Sequence, residues 1–147
     1  MSSPHRFTLR VYYEDTDFSG VVYHASYLRF LERGRTEFIR DIGIDQAALH
    51  RDEAFAFMVR RMTIDWLRPA RMDDVLVVEC EPLRLKGASL DLAQRVMRGD
   101  EVLLTAQVLV AGVVAGRPAR LPRVLAERLS AFASAASDGT TSELSRA

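Results

Sequence analysis

The stretch Tyr13–His24 concentrates side chains that can do chemistry. It holds three acids, a histidine and a glycine in one short run, Tyr-Glu-Asp-Thr-Asp-Phe-Ser-Gly-Val-Val-Tyr-His. Carboxylates such as Asp17 attack carbonyl groups or activate water, and imidazoles such as His24 transfer protons. Loops between regular elements are frequent functional sites. This stretch is therefore the first candidate for an active site, with Asp15 predicted to bond the loop backbone instead.

A long helix is predicted to begin where this stretch ends. A helix N-terminus presents unpaired backbone N–H groups and the positive end of the helix dipole. A carbonyl oxygen placed there is polarised, and the oxyanion formed on attack is stabilised further. Asp17 lies seven residues before His24, so it could attack that carbonyl or activate a water beside it. The residues favour acyl transfer, and an acidic loop that only caps a helix is the alternative.

Hydrophobic periodicity predicts a strand before the candidate loop. Apolar residues alternate with polar ones from Phe7 to Tyr13, which is the pattern of a half-buried strand. If the extended chain continues past Tyr13, the side chains of Tyr13 and Asp17 lie on the same face.

After the loop, the spacing of apolar residues changes to that of a helix. From about Ser26 they form one stripe, Tyr27, Phe30, Leu31, Gly34, Phe38 and Ile42. Because Gly34 has no side chain, its place on the stripe predicts a close approach to a sheet. Gly43 is a predicted stop signal.

The rest of the chain is predicted to be mostly strands. They begin at Phe55 and Val75 and continue near Leu90–Met97 and Val102–Ala115, with turns at Lys86-Gly87 and Arg98–Asp100 and a bulge or edge at Pro82. A short helix is predicted over Arg123–Ala133. We therefore expect one domain over residues 1–133 and a disordered tail over residues 134–147, where aromatic residues are absent.

This order of elements predicts an α+β fold. A strand, a loop and a long helix are followed by four strands in successive hairpins, which gives an antiparallel five-stranded sheet with one helix against it. The helix covers one face of the sheet. Since the other face still carries apolar residues, we expect a homo-oligomer.

Composition narrows the class of protein. The formal net charge is +0 at pH 7, which argues against a nucleic-acid partner because a basic surplus supplies that affinity. Cys80 is the only cysteine, so no intrachain disulfide and no cysteine-based zinc site can form. The first residues show no apolar signal core. We expect a cytoplasmic protein that needs neither a metal nor a cofactor.

The run Tyr12–Tyr27, followed by Phe30–Glu37, closely resembles the 4-hydroxybenzoyl-CoA thioesterase family. It is most similar to the branch encoded beside the Tol-Pal cell-envelope genes of Gram-negative bacteria. The resemblance continues through Gly87–Leu90 to about Arg123, so it covers most of the chain. It implies the hotdog fold, in which an antiparallel five-stranded sheet wraps around one long central helix. It also implies hydrolysis of thioesters of coenzyme A or of acyl carrier protein.

The resemblance also implies roles for individual residues. Asp17 corresponds to the catalytic carboxylate, which is nucleophile or general base in different members. The backbone N–H of His24 corresponds to the group that binds the thioester oxygen, and the side chains of Tyr13 and His24 are implicated as well. The loop residues Gly20, Val21 and Val22 are expected to contact substrate.

The resemblance further implies an assembly. Family members bind the CoA nucleotide across a subunit boundary, with basic residues that follow the last long strand. Arg117 and Arg120 fit that position and could bind CoA phosphates. The expected assembly is a homodimer or homotetramer, and the branch implies peripheral association with the inner membrane.

Two other functions compete with this interpretation. The pair Asp15-x-Asp17 also matches the nucleophile motif of haloacid-dehalogenase-like phosphatases, but these need a lysine followed by an acidic pair. Here Asp73-Asp74 comes before Lys86. The second alternative is a non-catalytic acyl-carrier or envelope-associated binding module, which the fold alone does not exclude. An intact Asp17 argues against it.

Overall fold

The computed structural model describes residues 3–146, with side chains for residues 3–134. The elements are β1 (His5–Arg10), a 3-10 turn (Tyr13–Asp15), α1 (His24–Asp41), α2 (Gln46–Glu53), β2 (Phe55–Trp66), β3 (Val75–Lys86), β4 (Ser89–Arg98), β5 (Glu101–Val114), β6 (Arg117–Pro118) and α3 (Arg123–Arg146). The strands form one antiparallel sheet in the order β1-β3-β4-β5-β2. The predicted α+β hotdog architecture is confirmed.

Two details of the predicted sheet are wrong. The sheet has six strands, because the two residues of β6 fold back onto the end of β5. In addition, β2 does not form a hairpin with β3. It pairs with β5 from Phe55↔Val114 to Trp66↔Leu104 and lies at the free edge of the sheet. The connection from residue 67 to residue 74 bonds to other parts of the chain, including Leu103, so it does not close a tight turn.

Helix α1 packs its apolar stripe closely against the sheet. A Cβ atom added at Gly34 would lie 2.5 Å from Cγ1 of Val78 in β3, so the predicted close approach is confirmed. Gln94 of β4 strengthens the contact, because its amide nitrogen donates a hydrogen bond to the carbonyl oxygen of Leu31 at 3.0 Å. The helix is therefore fixed to the two central strands by a backbone contact and a buried hydrogen bond.

The helix boundaries differ from the predicted ones. Helix α1 begins at His24, two residues before the predicted start. The backbone of α3 continues as a helix to Arg146, whereas the sequence predicts that it ends at Ala133. Side chains from residue 135 onward lie outside the described residues, so the domain boundary at residue 133 stays a prediction. Within residues 3–146, no helix is both long and apolar enough to span a membrane.

The sheet face that points away from α1 carries ion pairs as well as apolar residues. Glu79 alternates with the inward-facing Val78 and Cys80, and its carboxylate is buried between Arg6, at 3.1 Å, and Arg95. Half-buried Val77, Met97 and Leu109 share this face. The expectation of apolar residues on the open face is thus met in part only, because buried charges occupy its middle.

We predict that Gly34→Ala lowers the free energy of unfolding. Alanine gains about 1 kcal/mol of helix propensity, but the new Cβ meets a β-branched side chain that cannot rotate away. Overpacking of this kind costs about 1–3 kcal/mol. Urea unfolding at a fixed protein concentration measures the difference.

The matched control is Val78→Ala, which removes the methyl group that the new Cβ would meet. We expect the double variant Gly34→Ala/Val78→Ala to be more stable than the sum of the two single costs implies. If the two costs simply add within about 0.5 kcal/mol, the contact does not limit the approach of the helix.

Candidate active site

A tight hairpin presents the carboxylate of Asp17 to solvent. The N–H of Asp17 donates to the carbonyl oxygen of Val21 at 2.9 Å, and the N–H of Gly20 donates to that of Asp17 at 3.0 Å. Gly20 has a φ of +83°, a conformation that side chains disfavour. Oδ1 of Asp17 accepts a hydrogen bond from the N–H of Ser19 at 2.8 Å. The loop therefore holds both the backbone and the side chain of Asp17 in place.

Asp15 accepts hydrogen bonds from the residues on both sides of this hairpin. Its side chain is buried, and Oδ2 accepts a hydrogen bond from the N–H of Tyr12 at 2.9 Å. Its carbonyl oxygen accepts another from the N–H of Tyr23 at 2.9 Å, directly before the helix. The predicted structural role of Asp15 is confirmed, because the residue joins both ends of the loop.

The N-terminus of α1 is open beside this loop. Helix α1 begins at His24, and Tyr23 at the N-cap position supplies no side-chain hydrogen bond. Among the described side chains, none accepts from the N–H of His24. The first N–H groups of a helix need an acceptor from outside it. This terminus is therefore able to bind a carbonyl oxygen or an oxyanion.

A cavity of about 190 Å³ lies against the helix terminus. Val21, Val22, His24, Tyr27 and Trp66 contribute to its lining. The His24 ring lies 4.7 Å from the indole of Trp66, and the Tyr27 ring lies 5.3 Å from it, measured between ring centres. The apolar walls suit the hydrocarbon part of a ligand whose polar group sits at the helix terminus.

The segment that follows β2 ties the loop to the helix. The N–H of Ala70 donates to the hydroxyl oxygen of Tyr27 at 2.9 Å, and the carbonyl oxygen of Ala70 accepts from the N–H of Val22 at 2.9 Å. Burial raises the pKa of Tyr27, against the smaller effect of the hydrogen bond from Ala70. The hydroxyl thus stays neutral and available as an acceptor.

Arg98 bonds to two residues of the segment that follows β2, residues 67–74. Its guanidinium donates to the carbonyl oxygen of Pro69 at 3.2 Å and to Oδ2 of Asp74 at 2.8 Å. Burial tends to raise the pKa of Asp74, but hydrogen bonds from the Arg71 N–H and from Arg98 outweigh it and lower the pKa. Asp74 is therefore ionised at neutral pH, and the ion pair fixes the wall of the cavity.

Sequence reasoning missed Tyr27, Trp66, Ala70 and Arg98 as parts of this site. Tyr27 could have been found, because it lies one helical turn after His24 on the apolar stripe. No local pattern places Trp66 or Arg98 here, since both reach the site through pairing in the sheet.

The strand-parity argument for Tyr13 is wrong. Strand β1 ends at Arg10, and Tyr13 begins a 3-10 turn, so the chain does not stay extended as far as Asp17. The side chain of Tyr13 is 78% exposed. A role for it rests on the resemblance alone.

Arg117 and Arg120 lie far from Asp17 within one chain. Along β5, Leu104 pairs with Trp66 beside the site, and Val114 pairs with Arg117 at the opposite end. These ten steps along a strand span about 33 Å. Exposed Lys86 precedes Gly87, whose added Cβ would lie 3.9 Å from Nε of Arg120. The structure thus gathers three cations at the far corner and separates them from the loop.

The described side chains contain no cluster of three or more His, Cys, Asp or Glu residues that could hold a metal ion. Cys80 is buried, and burial raises the pKa of its thiol to about 12. The Cys80 thiol therefore stays protonated at neutral pH.

Known proteins are similar to this chain in sequence and in fold. Residues 19–105 match the model of the thioesterase superfamily. The acyl-CoA thioesterase YbgC of Haemophilus influenzae is 45% identical over 119 residues, which are 80% of this chain and 88% of that protein. A probable thioesterase from Bartonella henselae superposes with a TM-score of 0.79 at 45% identity, covering 82% of this chain and all of that one.

A further solved structure is more distant. A thioesterase of Thermus thermophilus, complexed with coenzyme A and zinc, superposes with a TM-score of 0.76 at 29% identity. The alignment covers 88% of this chain and 93% of that one. Residues 19–105 contain the N-terminus of α1 and most of the sheet, and the two solved structures superpose on this chain over 100% and 93% of their own chains. The chain therefore belongs to the thioesterase superfamily and is a thioester hydrolase with the hotdog fold.

Proposed function

We propose that this thioester hydrolase cleaves acyl-CoA thioesters, with Asp17 as the reacting carboxylate and the N-terminus of α1 as the oxyanion site. The observation that carries the proposal is that the loop links Asp17 directly to the N-terminus of α1. One hydrogen-bonded hairpin joins the exposed carboxylate of Asp17 to the uncapped N–H of His24. The names of the relatives support coenzyme A as the carrier, since one is an acyl-CoA thioesterase and another was solved with coenzyme A.

Hydrolysis of the thioester follows one of two mechanisms. In the first, an oxygen of Asp17 attacks the thioester carbon, the carbon–sulfur bond breaks, and the CoA thiolate leaves and takes a proton. Water then hydrolyses the mixed anhydride and regenerates the carboxylate. In the second, Asp17 takes a proton from water as the water attacks the same carbon. The carbon–sulfur bond then breaks, and the CoA thiolate leaves and takes that proton from Asp17, which regenerates the carboxylate. The N–H of His24 stabilises the oxyanion in both routes.

The other residues at the loop–helix junction support binding. Val21 and Val22 form one wall of the cavity, and Gly20 allows the turn that brings them there. The exposed side chains of Tyr13 and His24 are further candidates for contact with the thioester. An acyl group on acyl carrier protein presents the same thioester, so the proposed chemistry extends to that carrier.

We also propose that the working unit is a homodimer joined through β2. This strand offers an unpaired edge over twelve residues, Phe55–Trp66, on which Met58 and Val59 are exposed. A long free edge is a template for pairing with another strand. A twofold axis through its middle, between Arg60 and Arg61, would place Trp66 of one copy opposite Phe55 of the other.

This pairing also supports the proposed CoA site. Phe55 pairs with Val114, which pairs in turn with Arg117. The corner formed by Lys86, Arg117 and Arg120 of one copy would thus approach the Asp17 loop of the other. The cations would then bind phosphates of a thioester that reacts on the neighbouring chain. Further pairing of two dimers would give a homotetramer.

We predict that Asp17→Asn leaves the fold intact and lowers kcat by about 10²–10⁴. Asparagine keeps an oxygen that can accept the hydrogen bond from Ser19 but removes the charge. Release of free thiol from a series of acyl-CoA substrates measures the rate. The matched control is Glu14→Gln, which neutralises a neighbouring exposed acid and should hydrolyse normally. An Asp17→Asn variant that works at the wild-type rate would disprove the assignment.

We predict that the double variant Arg117→Ala/Arg120→Ala raises KM more than it lowers kcat. The cations contact a remote part of the substrate, so they act about equally on the ground state and the transition state. Each lost charge-assisted hydrogen bond is worth roughly 1.5–3 kcal/mol, or about tenfold to a hundredfold in KM. A thioester truncated to the pantetheine arm should show a smaller loss, because it lacks the 3′-phosphate.

Mixing the two kinds of variant tests the subunit boundary. We predict that co-refolding Asp17→Asn with Arg117→Ala/Arg120→Ala restores activity at low substrate concentration. Each heterodimer then contains one site with both an intact Asp17 and intact arginines, which gives roughly a quarter of wild-type activity at equal mixing. Activity that stays at the average of the two parents would mean that the arginines do not complete a neighbour's site.

A further inference from the structure

A second cavity, of about 330 Å³, lies between α1, α2 and the sheet. Its walls on the sheet side are apolar and comprise Phe57, Val59, Leu90, Leu92 and Val110, with Ile39 added from α1. This volume falls within the range of small-molecule sites. Asp17 and the other residues of the candidate loop do not line it.

Polar residues of α1 and α2 close the other side of this cavity. They are Glu32, Arg35, Thr36 and Gln46. Arg35 is half-buried and donates one hydrogen bond, at 3.0 Å, to the amide oxygen of Gln94. The nitrogen of that amide is already engaged with the carbonyl oxygen of Leu31. A guanidinium has five N–H donors. Among the described residues only Gln94 accepts a hydrogen bond from the Arg35 side chain, so the other donors can bond to a ligand.

Arg35 and Arg98 are both half-buried, but they differ in their carboxylate partners. Arg98 pairs with Asp74 and Glu101, whereas none of the described carboxylates forms a salt bridge with Arg35. Burial lowers the pKa of Arg35, and the smaller effects of Cys80 and Glu32 oppose it. The guanidinium nevertheless stays charged at any ordinary pH. A half-buried guanidinium with no carboxylate partner can form charge-assisted hydrogen bonds with an anion that enters the cavity.

We propose that this cavity holds the acyl group of the substrate and that Arg35 selects acyl groups that end in a carboxylate. The substrate class is then the half-thioester of a dicarboxylic acid. A carboxylate matches the planar fork of a guanidinium, while the methylene chain contacts the apolar wall. This inference rests on the proposed hydrolysis of acyl-CoA and on the proposed homodimer.

The homodimer would connect the cavity to a reacting thioester. Phe57 lies two residues from Phe55 on β2, and the proposed pairing places it opposite Ile64 of the other copy. The Trp66 and His24 rings of that copy, 4.7 Å apart, lie just beyond. The acyl group of a thioester bound at one helix terminus thus enters the cavity of the neighbouring chain.

Substitution of Glu32 is expected to change the substrate preference in the direction opposite to substitution of Arg35. Glu32 is the other charged residue that lines the cavity, and its side chain is exposed. Its carboxylate repels an anionic acyl end and competes for Arg35. Neutralising Glu32 should therefore favour the substrates that neutralising Arg35 disfavours.

The experiment compares hexanoyl-CoA with adipoyl-CoA, which have the same chain length and end in a methyl group and a carboxylate. For the wild type, we expect kcat/KM for adipoyl-CoA to equal or exceed that for hexanoyl-CoA. Arg35→Gln should lower kcat/KM for adipoyl-CoA roughly tenfold to a hundredfold and leave hexanoyl-CoA within about threefold. Glu32→Gln should raise the adipoyl-to-hexanoyl ratio. Arg33→Gln, an exposed cation on the same helix, is the control that leaves the ratio unchanged.

Binding gives a second measurement that does not depend on turnover. In the Asp17→Asn background, calorimetry should show that Arg35→Gln weakens adipoyl-CoA selectively. Equal losses on both substrates, or a wild type that prefers hexanoyl-CoA by more than tenfold, would overturn the inference while the proposed function stands. A wild type that hydrolyses no acyl-CoA would overturn the proposed function itself.

Discussion

The contact between α1 and β3 at Gly34 sets the geometry on which the rest of the structure depends. Because no side chain separates the helix from Val78, the helix lies close to the sheet. The buried hydrogen bond from Gln94 to Leu31 holds it there. Because α1 is rigid and is held to the sheet at its middle, the positions of its two ends relative to the sheet are also fixed. Its N-terminus consequently meets the loop that carries Asp17, and the flank around Arg35 closes the larger cavity against the sheet.

The loop is held to that terminus by backbone groups more than by side chains. Ala70 bonds with Val22 on one side and with the hydroxyl of Tyr27 on the other, so loop, strand end and helix move together. Arg98 holds the same segment through Pro69 and Asp74. Electrostatic stabilisation of an oxyanion needs donors that are already oriented before the reaction. At the oxyanion site that we propose at the N-terminus of α1, this bonding would supply that orientation.

Local sequence patterns predicted the parts of the structure that depend on neighbours in the chain. The helical stripe located α1 and the role of Gly34, and the spacing from Asp17 to His24 located the loop. Patterns of this kind carry no information on long-range pairing. They therefore missed the position of β2 at the sheet edge and the arrival of Trp66 beside His24. The prediction that Tyr13 and Asp17 lie on one strand face was wrong because a 3-10 turn interrupts the alternation of the strand.

Trp66 gives the protein a built-in optical probe. It is the single tryptophan of the chain, it is 45% exposed, and it lies against both His24 and Tyr27. Indole emission depends on the polarity of its surroundings, so all tryptophan fluorescence from this molecule comes from one wall of the small cavity. A ligand that entered this cavity would displace water from the indole and change its emission. Occupancy of the site can thus be followed in the unmodified chain, without a dye and without turnover.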